Sequence, residues 1–197
     1  MAKRGDALEL AVLGLLHEAP LHGYEVRRRV NGLFGWSRVL SYGTLYPCLK
    51  SLLRSGLIEP ETPSPGHGRR ARIVYRLTPE GKERFTDLIS QAGPAAWDDE
   101  SFGVHFAFFA RADPAIRVRI LEGRRSRLEE RKAGVRAALG RTAERVDAYT
   151  LELQRHGLES VEHEVRWLSE LINSERAGHG APGEPQEPAP PADNQST

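Results

Sequence analysis

The sequence predicts a mainly α protein with a small β-hairpin, and three observations carry that prediction. Three short helical segments crowd the first 55 residues. Two strand-like runs then flank a Gly/Pro-rich basic loop. Beyond residue 113 a seven-residue apolar repeat runs for five heptads.

LELAVLGLLHEA (8–19) is apolar nearly all round and reads as a buried helix ending before Pro20. HGYEVRRRVNGLFG (22–35) sets Val26, Val30 and Leu33 at i, i+4, i+7, one apolar helix face with Arg27, Arg28 and Arg29 around the rest. In SYGTLYPCLKSLLRSG (41–56), Leu45, Leu49, Leu52 and Leu53 form the buried stripe, and Gly56 stops the helix as a C-terminal glycine cap. Gly43 and Pro47 are poor helix residues. Ser41 or Thr44 is expected to cap this helix; with Thr44 as the cap, Pro47 falls at the third helical position and costs no hydrogen bond.

After Gly56 the period changes. LIEP is strand-like, TPSPGHGRR (62–70) is a loop, and RIVYRL (72–77) alternates with Ile73, Tyr75 and Leu77 on one side. Thr78-Pro79 opens a further helix as N-cap and first helical residue, with Phe85, Leu88 and Ile89 inward. Asp113-Pro114 is a second such start, and no strong breaker follows until His156-Gly157, which predicts one long helix to that point and an antiparallel partner after it. The first carries Val118, Leu121, Leu128, Val135, Leu139 and Val146, with Tyr149 and Leu153 further along the repeat. The second carries Leu158, Val161, Val165, Leu168 and Ile172. Both stripes are candidate dimerisation seams.

The expected organisation is therefore a first unit at 1–90, a helical unit at 91–176 that carries the candidate dimerisation seams, and a disordered Pro-rich tail at 177–197. The tail holds five of the 13 prolines and no large apolar residue. Charge divides the same way. Residues 1–90 carry 14 Lys/Arg against 9 Asp/Glu, whereas 91–176 carry 14 against 15. Positive charge gathered in the N-terminal half suits a polyanionic partner.

Three helices followed by a basic hairpin have the layout of a winged helix-turn-helix, in which one helix enters the major groove and a flanking loop reaches the backbone. The face of 41–55 opposite the leucines collects Ser41, Gly43, Thr44, Pro47, Lys50, Ser51 and Arg54, with Tyr42 and Tyr46 at its edge. Small and hydroxylated residues permit close approach, and the two cations add charge. At the expected wing tip, His67, Gly68, Arg69 and Arg70 supply supple backbone and phosphate-binding side chains.

Other chemistries find little support. HEAPLH (17–22) has the wrong spacing for a zinc helix, and His156 and His163 share a helix face without a third ligand. There is no G-x-S-x-G and no phosphate-binding loop. No metal, no cofactor and no enzymatic activity are expected. One cysteine, Cys48, forbids an intramolecular disulfide and fits a cytoplasmic protein. No apolar run reaches membrane-span length, so no membrane partner is expected.

LHGYEV, SYGTLYPCLKSLLRSGLIEPE and RIVYRLTPEG, in this order over residues 8 to about 90, resemble the N-terminal domain of the PadR family of transcriptional regulators. The long helices are similar to the dimerisation region of its larger members. The resemblance implies a homodimeric winged-helix regulator, usually a repressor, that binds double-stranded operator DNA through the helix at 41–55 and the 63–71 wing. It further implies a small-molecule effector near the interdomain or dimer interface, aromatic by family habit. Trp97, Phe102, Phe106, Tyr149 and Trp167 are the candidates, with core packing as the competing reading. Arg124, Arg125, Arg127 and Arg131 would serve an anionic nucleotide signal instead, with a solvated helix face beside neighbouring glutamates as the competing reading. Cys48 departs from the aliphatic residue expected there and reads as a small buried hydrophobe, with redox sensing as the alternative. A helical module whose winged domain contacts protein rather than DNA is the competing function.

Overall fold

The computed structural model describes residues 2–34, 42–61, 73–142 and 147–178. The elements run α1 (Ala2–Glu18), β1 (Leu21–His22), α2 (Gly23–Phe34), α3 (Tyr42–Arg54), β2 (Ile58–Pro60), β3 (Val74–Leu77), α4 (Pro79–Ile89), α5 (Phe102–Ala107), a 3-10 turn at Phe109–Arg111, α6 (Pro114–Thr142) and α7 (Ala148–Arg176). The protein is mainly helical with one small antiparallel sheet, as its periodicities predict.

The sheet has three strands, in the order β1-β3-β2, not the two of a simple hairpin. Pro20 closes α1, and the two extended residues after it pair Leu21 with Tyr75 and His22 with Val74. Two residues are too few to show alternation, yet they cover the edge of β3. On the other side Ile58, Glu59 and Pro60 face Leu77, Arg76 and Tyr75. Ile73 is exposed, contrary to its expected place beside buried Tyr75, because it precedes the first paired residue of β3.

The end of α3 follows its sequence signal closely. Gly56 has φ +67°; its N–H donates to Leu53 O at 3.1 Å and the Leu57 N–H to Leu52 O at 3.0 Å. These are the paired bonds of a Schellman cap, which needs the left-handed conformation that glycine adopts without strain. The chain is then pinned to the start of α4. Thr78 Oγ1 accepts from Gly81 N at 3.0 Å, and its hydroxyl lies 2.7 Å from Gly56 O and 3.0 Å from Leu57 O. A Cβ on Gly81 would fall 2.0 Å from Leu57 O, so this close approach requires glycine.

Two apolar cores result. The first surrounds α1, whose Leu10, Ala11, Val12 and Leu13 are fully buried against Val26 and Val30 of α2, Leu45, Leu49 and Leu52 of α3, Ile58 of β2, and Phe85 and Ile89 of α4. The second lies between α6 and α7 and holds Ile120, Leu121, Leu128, Val161, Val165, Leu168 and Ile172. Helix α5 and the 3-10 turn after it join them: Val104 and Phe108 pack in the first, Phe102 and Phe109 in the second. The Phe108 ring occupies the space a Cβ on Gly14 would need, 2.4 Å away.

The long helix does not reach His156-Gly157. α6 ends at Thr142 and α7 begins at Ala148, capped by Asp147, whose Oδ1 accepts from Tyr149 N and Thr150 N at 3.0 Å each. An aspartate cap is a strong start signal, whereas exposed Gly157 inside α7 costs only about 1 kcal/mol. With α6 ending at Thr142, α6 and α7, 29 residues each, pair with one another. Charge supports the pairing: α6 carries nine Lys/Arg against three Glu, and α7 six Glu against three Arg. Arg117 meets Glu175 at 2.9 Å and Arg124 meets Glu164 at 2.8 Å, with further pairs at Arg136–Glu162 and Arg176–Glu122.

Candidate nucleic-acid interface

Helix α3 is anchored on one side and open on the other. Leu45, Leu49 and Leu52 are buried. Thr44, Tyr46, Pro47, Lys50, Ser51 and Arg54 are exposed on the opposite side, and Tyr46, Pro47, Lys50, Leu53 and Arg54 line an open hollow there. Burial of about three leucines fixes the helix by several kcal/mol, so its outer face is presented rigidly. The helix begins at Tyr42, which places Thr44 inside it and not at its cap. Pro47 is its sixth residue, beyond the first turn, so its missing N–H forfeits one intrahelical bond.

A junction that sequence reading missed orients this helix. The first residue of α2, Gly23, sits beneath two tyrosine rings: a Cβ there would lie 3.4 Å from Tyr75 Cε2 and 3.8 Å from Tyr46 Oη. Burial, then the neighbouring Tyr46, pushes the Tyr75 phenol above its ordinary range. One residue on, Tyr24 stands exposed. A Gly-Tyr pair at a helix start and a tyrosine in an alternating strand are visible in the sequence, but their meeting is not.

Strands β2 and β3 hold the base of the basic loop. The Glu61 N–H donates to Val74 O at 2.9 Å, and Arg76 pairs with Glu59 across the register at 2.8 Å. The loop itself, with His67, Gly68, Arg69 and Arg70, lies outside the described residues, as do Ser41, the side chain of Tyr42 and the exposure of Gly43.

The candidate seam residues are largely occupied within the chain. Leu121, Leu128, Val161, Val165, Leu168 and Ile172 are buried between α6 and α7. Val118, Val135, Leu139 and Leu158 are half-buried, and Val146 lies outside the described residues. At the far end of the pair Tyr149 is 89% exposed and Leu153 71%.

Four of the five aromatic candidates come together. Phe102 and Phe106 pack on Trp167 with ring centroids at 6.4 and 5.3 Å, and Trp97 lies over Gly123, whose Cβ would meet the indole at 2.4 Å. Tyr149 is remote from them. Arg124 is buried beside this cluster, 5.2 Å over the Phe102 ring, and is paired with Glu164 and Asp99. Arg131 also faces Asp99, at 3.8 Å, and Arg125 faces Glu129 at 4.0 Å. Burial lifts the Asp99 carboxyl, but the hydrogen bond from Arg124 and the charges of Arg124, Arg127 and Arg131 outweigh it and hold the group below its ordinary range.

Cys48 packs against the first core, and burial, with Glu9 nearby, pushes its thiol up to about 11. That is the behaviour of a small hydrophobe, since reactivity needs the thiolate. Among the described residues no group of three His, Cys, Asp or Glu side chains is placed to hold a metal, and no helix is long and apolar enough to cross a membrane.

Residues 12–87 match the transcriptional regulator PadR-like family, so the stretch that resembles PadR in sequence is a PadR-like domain. Among solved structures the chain is similar to Bacillus subtilis PadR in complex with operator DNA (19% identity, 85% of this chain and 98% of that chain, TM-score 0.41). It is also similar to a PadR-like transcriptional regulator from Bacillus cereus (20%, 87% and 99%, 0.39) and to Bacillus subtilis PadR in complex with p-coumaric acid (20%, 86% and 99%, 0.39). No curated protein matches the chain.

Proposed function

We propose that this chain, built on the PadR-like domain at residues 12–87, is a cytoplasmic, homodimeric repressor that binds operator DNA. The observation that carries the reading is α3, a helix fixed by buried leucines that turns Thr44, Lys50, Ser51 and Arg54 outward. Such a face is slim enough at its start to enter a major groove and cationic further along. In this reading the 63–71 loop between β2 and β3 is the wing, with His67, Arg69 and Arg70 as its backbone contacts. No catalytic step is part of this reading.

In this reading residues 1–90 bind DNA and 91–176 pair the protomers, a division that the separate α6–α7 core supports. Half-buried Val118, Val135, Leu139 and Leu158 and exposed Tyr149 and Leu153 are the apolar surface that the α6–α7 pair leaves for a second copy. Dimerisation would set two recognition helices about 34–36 Å apart, one turn of DNA. A small-molecule effector bound near that interface would change the spacing and release the operator.

The test is binding of the Lys50/Arg54/Arg69/Arg70 quadruple alanine variant to promoter DNA across a salt series. Loss of four phosphate contacts should weaken binding and flatten the log–log salt slope by roughly 3 to 4. Wild-type affinity in the variant would overturn the assignment. A salt-insensitive wild type would favour a helical module whose winged domain contacts protein.

A further inference from the structure

Where α5 meets α1, a cavity of about 70 Å³ opens between the two cores. Asp6 and Leu10 of α1, Leu88 of α4, Gln91, Ser101 and His105 contribute to its wall. The volume has room for about two waters at ~30 Å³ each. His105 is 7% exposed, and its Nδ1 is buried without a hydrogen-bond partner. A neutral ring tolerates that position because Nδ1 can serve as an acceptor for a cavity water. An imidazolium would have to donate from both nitrogens, and one N–H would have no protein acceptor in reach.

We propose that His105 makes this junction pH-sensitive, ring protonation loosening the packing of α5 and Asp6–Leu10 of α1 around the cavity. Among the described residues, the charged groups at the cavity wall or acting on the ring are carboxylates. Asp6 stands at the cavity wall from α1, and Asp98 acts from the segment before α5; α4 and its end contribute only Leu88 and Gln91, and α2 supplies no lining residue. Burial pulls the ring down to about 4, outweighing Asp98, whose charge favours the proton. The closed junction therefore selects the neutral ring, whereas an opened one lets the ring take a proton near 6.5 and reach Asp6 or solvent. Below pH 6.5 the open form binds more protons than the closed form, so falling pH favours opening. Because α5 links the two cores, opening here frees the helix pair relative to α1. This inference does not depend on DNA binding.

Two measurements on the full chain test it. Titration of the imidazole nitrogens by NMR from pH 8 to 4, with the His105 signals identified by their loss in His105→Gln, should place its midpoint at least one unit below 6.5. Hydrogen exchange, corrected for intrinsic rates, should show residues 6–10 and 102–108 opening about tenfold more readily at pH 5.5 than at 7.5 in wild type. The same segments should hardly change in His105→Gln, and the α7 core should hardly change in either protein. A ring midpoint at or above 6.5, or the same pH dependence in the variant, would overturn the proposal. If His105→Gln does not fold, the position of the most depressed of the histidine midpoints in wild type still decides it.

Discussion

Arg124 donates from Nε to Glu164 Oε1 at 2.9 Å, tying the middle of α6 to α7, while the same guanidinium holds Asp99 and lies over Phe102. One buried cation thus fixes three segments of the C-terminal half. Removing it strands carboxylates that its charge compensates. Arg124→Ala should lower stability to denaturant by about 3 kcal/mol, toward the lower end of the range for broken buried pairs because Asp99 and Glu164 are partly exposed. Arg124→Lys should recover only part of this, since an ammonium cannot reach both carboxylates with one planar fork. Asp99 adds a pH dependence. Its carboxyl is held below the ordinary range, so its contribution is present above about pH 4 and fades as acid protonates it.

Gly81 is set by contact and not by conformation. A Cβ there would meet the Leu57 carbonyl oxygen, which belongs to backbone and cannot swing aside. Gly81→Ala should cost about 1–3 kcal/mol, the range for an overpacked site, read as a fall in melting temperature. Gly157→Ala, in open space on α7, should instead leave stability unchanged or raise it by up to about 1 kcal/mol.

Cys48 should behave as core. At pH 7.5 it should react with a thiol reagent far more slowly in the folded protein than in denaturant, because its thiol is raised to about 11. The sign for stability follows: between about pH 9 and 11 the unfolded chain releases this proton and the folded chain keeps it, so stability falls as pH rises through that window. Rapid labelling of the native protein would contradict this.

On the proposed dimer, Tyr149→Glu with Leu153→Glu should shift elution on a sizing column toward the monomer while leaving the helical circular dichroism unchanged, since both side chains are exposed within one chain. Charges at Leu139 and Val146 should act in the same direction. Leu168→Ala should act differently, lowering stability by roughly 2–5 kcal/mol because Leu168 is fully buried between α6 and α7. An unchanged elution volume in the Tyr149/Leu153 variant would place the pairing surface elsewhere.

Much of the fold is legible wherever the signal is local. The leucine stripe of α3, the glycine cap at Gly56 and the Thr78-Pro79 start of α4 depend on residues within one turn of each other, and all three take their predicted form. β1 escapes notice because two residues carry no period and exist as a strand only through β3. The heptad pattern runs on through Tyr149 and so hides the end of α6 at Thr142 and the Asp147 cap that starts α7. Within the PadR-like domain, exposure of Lys50, Ser51 and Arg54 follows directly from the stripe behind them. The Tyr46–Tyr75–Gly23 junction does not, since it joins an α2 start, a helix and a strand more than 20 residues apart in sequence.

The seven-residue repeat marks Leu121, Leu128, Val161 and Leu168 as buried, but a period states only that a face is covered, not which chain covers it. The α6–α7 packing buries those residues within one chain, and complementary charges join the two helices. Likewise Phe102, Phe106 and Trp167 are aromatic at helical spacing in any reading. Only their mutual contacts place them in a packed core beside Arg124. The helix at 42–54 was determined by its own sequence, because its apolar spacing and its Gly56 cap are local. The buried His105 beside its cavity was decided by tertiary structure, because burial depends on what other elements bring against a side chain.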